Sequence, residues 1–178
     1  MTDPAPPRKP PKPVTAAYLE RAALHYLERY ASSAGNLRRV LARKVERRCR
    51  ERDEDPAEFL PLVDEVVGKA VSGGYLDDRL YAEGRVAALR RRGASARGIA
   101  AKLSAKGVDR DTVAAALGAE EGDDMTAALA LARRRRLGPF RTRDREGHRD
   151  RDLAVLARGG FPFDVARKVV DGDGTGEE

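Results

Sequence analysis

Three carboxylates, Asp77, Asp78 and Glu83, lie within seven residues of one another. A magnesium-dependent nuclease or an acid–base pair needs such groups to converge on one point. Here they do not. Glu83 is five residues beyond Asp78, about 140° further round a helix, so the two side chains diverge. The pair follows Gly73-Gly74-Tyr75-Leu76 and precedes the apolar series Ala82, Val86, Leu89. That is the place of a helix start, where a carboxylate accepts from free backbone N–H groups and opposes the helix dipole. Asp109/Asp111 and Asp123/Asp124 open two further helices in the same way. His25 and His148 are far apart in the sequence and do not read as a zinc pair. His25 sits beside an apolar stripe and reads as a partly buried packing residue. Cys49 has no histidine near it and reads as an inert thiol. Tyr75 and Tyr81 read as core. Phosphate-loop, dinucleotide and nucleophile-elbow motifs are all missing from the sequence. The reading is therefore of a non-enzyme, with no catalytic, metal or cofactor site.

What the chain does carry is positive charge. It has 35 Lys+Arg against 29 Asp+Glu in 178 residues, a formal net charge of +6. From Gly84 to Val108 the basic residues Arg85, Arg90, Arg91, Arg92, Arg97, Lys102 and Lys106 occur without a single acid. Lys102 and Lys106 stand four apart on a helix face, where like charges repel slightly, so stability does not explain them. A second group is Arg133, Arg134, Arg135 and Arg136, followed by Arg141, Arg143 and Arg145. Four successive arginines span every side of a helix, so part of that run is expected to point inward or along a neighbouring unit. A third cluster, Arg38 to Arg52, is mixed with Glu46 and Glu51, which are expected to pair locally. Such charge suits an acidic partner such as nucleic acid, without proving one.

The elements that position these residues are helical throughout. Leu19, Ala23, Tyr26, Leu27 and Tyr30 fall on one face of a helix, and Phe59, Val63, Val66, Val67 and Ala70 repeat the spacing. Pro61 makes the second helix begin near Leu60 or bend there. Asp55-Pro56 looks like a cap with proline in the first turn. Stops at Gly73-Gly74, Gly93, Gly107, Gly138-Pro139 and Gly159-Gly160 punctuate roughly nine helices of about 8–18 residues. They fall into three weakly similar groups. Ser33, Leu37 and Leu41 share the spacing of Ser95, Ile99 and Leu103. Leu153, Leu156 and Gly160-Phe161 share that of Ala100, Leu103 and Gly107-Val108. The expected fold is all-α, three tandem three-helix repeats over 15–74, 75–122 and 123–170 in an elongated, curved arrangement. A Pro-rich leader, 1–14, is expected to be disordered, as is an acidic, Gly-rich tail, 171–178. The lone cysteine and the lack of a signal peptide or of about 18 consecutive apolar residues fit a cytoplasmic protein without a membrane segment.

The run GYLDDRLYAEGRVAALRRRGASARGIAAKLSAKGV, Gly74 to Val108, closely resembles the signature of the RecX family of bacterial recombination regulators. The features that match are Leu76-Asp77-Asp78, Tyr81-Ala82, Arg85, the Gly93 break and the helix Ser95…Ile99…Leu103…Gly107-Val108. LAVLARGGFPFDVARKVV, Leu153 to Val170, is similar to that family's C-terminal repeat. The resemblance spans about Thr15 to Val170, is strongest at Leu76–Val108, and is weakest in the first group. It implies three tandem three-helix repeats and a partner: RecA protein, above all its filament on single-stranded DNA. It implies binding in the filament groove, limiting extension or stability and so damping ATP hydrolysis, strand exchange and co-protease activity. It supplies no catalytic residues. The candidate contact residues on this view are Arg85, Arg90–Arg92, Arg97, Lys102, Lys106, Arg133–Arg136, Arg141 and Arg143. Weak non-specific DNA binding and a monomeric state accompany it. The alternative is a helix-turn-helix module reading duplex DNA directly.

Overall fold

Five of the described helix starts are set by short polar side chains. Thr15 accepts from the Tyr18 N–H, Ser33 from Asn36, Ser95 from Gly98, Asp109 from Thr112 and Asp123 from Thr126. Each occupies one donor that the first turn leaves unpartnered. In a computed structural model that describes residues 12–174, nine α-helices result and no strand occurs among the described residues. They are α1 (Ala16–Leu27), α2 (Ala34–Arg50), α3 (Leu60–Ser72), α4 (Asp78–Arg91), α5 (Ala96–Ser104), α6 (Arg110–Gly118), α7 (Asp124–Arg135), α8 (Arg149–Arg158) and α9 (Phe163–Asp171). The expectation of an all-α chain holds. Asp55 accepts from the Ala57 N–H to start a 3-10 turn, Pro56–Phe59, and α3 follows from Leu60 with Pro61 harmless in its first turn. Most of the leader, residues 1–11, and the tail end, 175–178, lie outside the described residues. Val14 is already core.

The chain divides after Asp77 into two compact units. In the first, Leu37, Leu41, Val45 and Cys49 of α2 are fully buried against Leu19 and Ala23 of α1 and Val63 and Val66 of α3. α1 ends earlier than its apolar series suggests: Tyr30 lies beyond it, more than half exposed, with its ring 5.1 Å from that of Tyr26. In the second unit two apolar clusters form. One gathers Ala82, Val86, Leu89, Ile99, Leu103, Val108, Val113 and Ala116 from α4, α5 and α6. The other gathers Ala128, Leu131, Leu137, Leu156, Phe161 and Val169 from α7, α8 and α9.

The matched spacing between Ala100–Val108 and Leu153–Phe161 corresponds to a shared helix ending. The Val108 N–H donates to Leu103 and Gly107 to Ser104, and the Phe161 N–H donates to Leu156 and Gly160 to Ala157. α7 departs from the expected glycine stop at Gly138. Arg136 itself takes the left-handed conformation, φ 56°, while the Leu137 N–H closes onto Ala132. A side chain in that region costs about 1–2 kcal/mol.

Candidate partner-binding surface

Within the second unit, helix ends bring two of the basic runs together. Gly93 follows α4 in the left-handed region, φ 71°, and packs directly on α7. A Cβ there would come within 2.7 Å of the Leu131 nitrogen and 2.8 Å of the Ala127 carbonyl. Ser95, fully buried, accepts from the Gly98 N–H and donates to the Gly159 carbonyl at 2.7 Å. Asp124, in the first turn of α7, accepts from Arg90 and from the Ala96 N–H at 2.8 Å. Arg134 then reaches back and donates to the Arg92 carbonyl at 2.8 Å. The C-terminal turns of α4 and α7 thus lie side by side. Arg91, Arg92 and Arg133–Arg136 are all exposed around them. Cations at helix C-termini are also favoured by the helix dipole.

The predicted contact residues separate by environment. Arg90 is 9% exposed and committed to Asp124. Arg141 is bound by Asp152 in a fork of 2.6 and 3.0 Å. Both hold the fold together. Arg85, Arg97, Lys102, Lys106 and Arg143 are exposed. The tetra-arginine run buries none of its members: all four are exposed at the C-terminal end of α7, with Arg134 on the neighbouring group and Arg133 5.3 Å from the Phe140 ring centroid.

Asp152 is the largest surprise. It occupies the α8 place matched by Ile99 in α5 and Leu37 in α2, all fully buried, yet it is a carboxylate. Burial alone would raise its pKa; the Arg141 fork and the Gly138 N–H at 2.8 Å outweigh that and hold it below the usual carboxylate range. The segment between α7 and α8 is tied down further. Arg145 donates to the Val170 and Gly172 carbonyls, and Arg149 makes a fork of 2.7 and 2.8 Å with Asp171.

Other sequence readings meet mixed outcomes. Asp78 opens α4 and Glu83 is held by Arg79 at 2.9 Å. No group of three or more metal-binding side chains occurs among the described residues. The Cys49 thiol is buried, and burial, with Glu54 and Asp55, raises its pKa. Tyr81 packs on the α4–α6 cluster, but Tyr75 is 64% exposed because Gly73-Gly74 turns the chain outward. His25 is exposed rather than partly buried, since α1 turns its Leu19–Ala23 stripe, not His25, to the core. Glu46 and Glu51 form no ion pair among the described residues; Arg38 instead pairs with Asp64 and Arg52 with Glu54. No described helix is long and apolar enough to cross a membrane.

A family model described as the second three-helix domain of RecX matches residues 77–117, the α4–α6 group. Over the longer chain, the regulatory protein RecX of Myxococcus xanthus is 46% identical across 167 residues, 92% of this chain and 89% of that protein. The regulatory protein RecX of Agrobacterium fabrum is 36% identical across 157 residues, 86% and 82% of the two chains. The chain belongs to the RecX family of regulatory proteins.

Proposed function

We propose that this protein restrains RecA. Acting in the cytoplasm as a monomer, it binds in the groove of the RecA–single-stranded-DNA filament and limits the filament's extension or stability. ATP hydrolysis, strand exchange and co-protease activity fall as a consequence, and the protein itself catalyses nothing. Three tandem repeats, 15–74, 75–122 and 123–170, supply contacts to successive filament subunits, each raising the effective concentration for the next. The observation that carries the reading is the Arg134–Arg92 bond, which joins two exposed arginine runs at the end of α4 and the end of α7. Such a surface favours encounter with a DNA-laden filament and makes binding salt-sensitive.

The test is ATP hydrolysis by preformed filaments, titrated with this protein at two salt concentrations. Inhibition well below one molecule per RecA subunit is the expected result. Inhibition only when the protein coats the DNA, or none at all, removes the mechanism and favours direct duplex binding. Charge reversal at Lys102 and Lys106 is expected to weaken filament binding with the circular dichroism unchanged; full binding would take α5 out of the surface.

A further inference from the structure

The first unit carries a basic face that the arginine runs of α4 and α7 do not account for. Tyr18 and Arg21 of α1 face Lys44, Arg47 and Arg48 of α2 across a set of three adjoining clefts, all of which share Tyr18. The middle cleft, about 400 Å³, also includes Lys12. Five cations therefore surround one aromatic ring, against two carboxylates at the edges, Glu28 and Glu51. None of the five forms an ion pair with a carboxylate among the described residues. The Arg48 guanidinium instead lies 3.7 Å from the Tyr18 ring centroid, a stacked cation–π pair.

Unpaired cations held close together repel one another. The C-terminus of α2 favours Arg47 and Arg48, and the Tyr18 ring favours Arg48, but neither answers Arg21, Lys44 or Lys12. The same arrangement is favourable once an anion of matching spacing enters. We propose that this α1–α2 face binds single-stranded nucleic acid: Arg21, Lys44 and Arg47 take backbone phosphates, and a base stacks at the Tyr18–Arg48 pair. A repeating anion is required to answer five cations, four of them spread over two helices and Lys12 just before α1, which a single small phosphate would not. A concave surface with a stacking platform suits a flexible strand with exposed bases. A duplex hides its base faces and approaches as a stiff rod. The inference does not rest on the RecA reading, because its test contains no RecA.

The experiment is fluorescence anisotropy of a labelled oligothymidylate with the full chain between 50 and 200 mM salt. The double variant Lys44→Ser/Arg47→Ser is expected to lower the slope of log K against log salt by roughly 1.4, about 0.7 per phosphate contact. At about 0.1 M salt that corresponds to binding weaker by roughly 20-fold. Tyr18→Leu is expected to weaken binding about fivefold or more with the slope retained. A control removing the same charge elsewhere, Arg110→Ser/Arg158→Ser, is expected to keep both affinity and slope. Should Tyr18→Leu fail to fold, the Lys44/Arg47 variant changes only surface charge and still decides the matter. Unchanged slope in that variant overturns the proposal, as does an equal loss in the control. Equal or tighter binding to a duplex of the same length overturns it too, as does release of the oligonucleotide by an oligoglutamate peptide of equal charge.

Discussion

The α2 helix and the α8 helix solve the same packing problem in opposite ways. At matched positions one buries Leu37 and the other buries Asp152. The apolar choice leaves the surrounding arginines and lysines of α2 largely to solvent. The acidic choice recruits Arg141 into the fold and the Gly138 N–H with it. Nearby, Arg145 and Arg149 are likewise held by carbonyls and by Asp171. The difference teaches that an arginine's role in this chain depends on whether a carboxylate or carbonyl is folded against it. Arg90, Arg134 and Arg141 are held by the fold, while Arg91, Arg92, Arg133, Arg135 and Arg136 face outward.

The contrast predicts where substitutions act. Asp152→Ala is the largest: it opens a hole beside Leu156 and leaves the buried Gly138 N–H unpartnered, an expected loss of about 3–5 kcal/mol in urea unfolding. Converting the pair to apolar residues, Asp152→Leu/Arg141→Met, is expected to restore part of that stability, as the α2 solution implies, with the Gly138 N–H still unpartnered. A double variant as unstable as Asp152→Ala would show that the two helices are not interchangeable. Gly93→Ala comes next, since its Cβ collides with α7 backbone at a left-handed position. A loss of about 3 kcal/mol is expected, against near-neutrality if the junction gives way.

Acid sharpens the same comparison. Asp152, Asp64 and Asp171 have folded pKa values lowered below 3.8 by their arginine partners, for Asp152 against the opposing effect of burial. The folded carboxylates then bind protons less readily than the unfolded ones. Their stability is present above the ordinary aspartate value and drains away as pH falls through the lowered folded values. The apolar double variant is expected to lose less between pH 5 and pH 2 than the native chain, as followed by circular dichroism. Arg136→Gly is the smallest and has the opposite sign. Relief of the left-handed side chain is expected to stabilise by about 1 kcal/mol, read as a higher melting midpoint.

Much of this fold was legible in the sequence because helix period and helix punctuation are local. The caps at Asp109 and Asp123, the stop at Gly107 and the Leu60 start of α3 all follow from neighbouring residues. The left-handed Arg136 did not, since no residue type announces it. Tertiary pairing was not legible either. Arg90 and Arg91 are adjacent and of one type, yet only Arg90 meets Asp124, 34 residues on. Asp152 stands among several acids in a polar stretch, and its alignment with Ile99 is the one local sign of its buried place. The α1–α2 face was hidden by reading Arg38–Arg52 as a mixed run. Lys44, Arg47 and Arg48 fall at helical spacing, as do Tyr18, Arg21 and Ala22, whereas Glu46 falls apart from them. Only the packing of α1 on α2 brings the two series together.

The measurement that bears most directly on the account compares the native chain with Arg91→Glu/Arg135→Glu for inhibition of ATP hydrolysis by RecA filaments on single-stranded DNA. Both side chains are exposed and outside the fold's hydrogen bonds and ion pairs described above. The melting midpoint is expected to stay in place while inhibition requires far more of the variant. Inhibition at the native dose by a variant so changed would contradict the assignment of the α4–α7 junction as the surface that meets the filament.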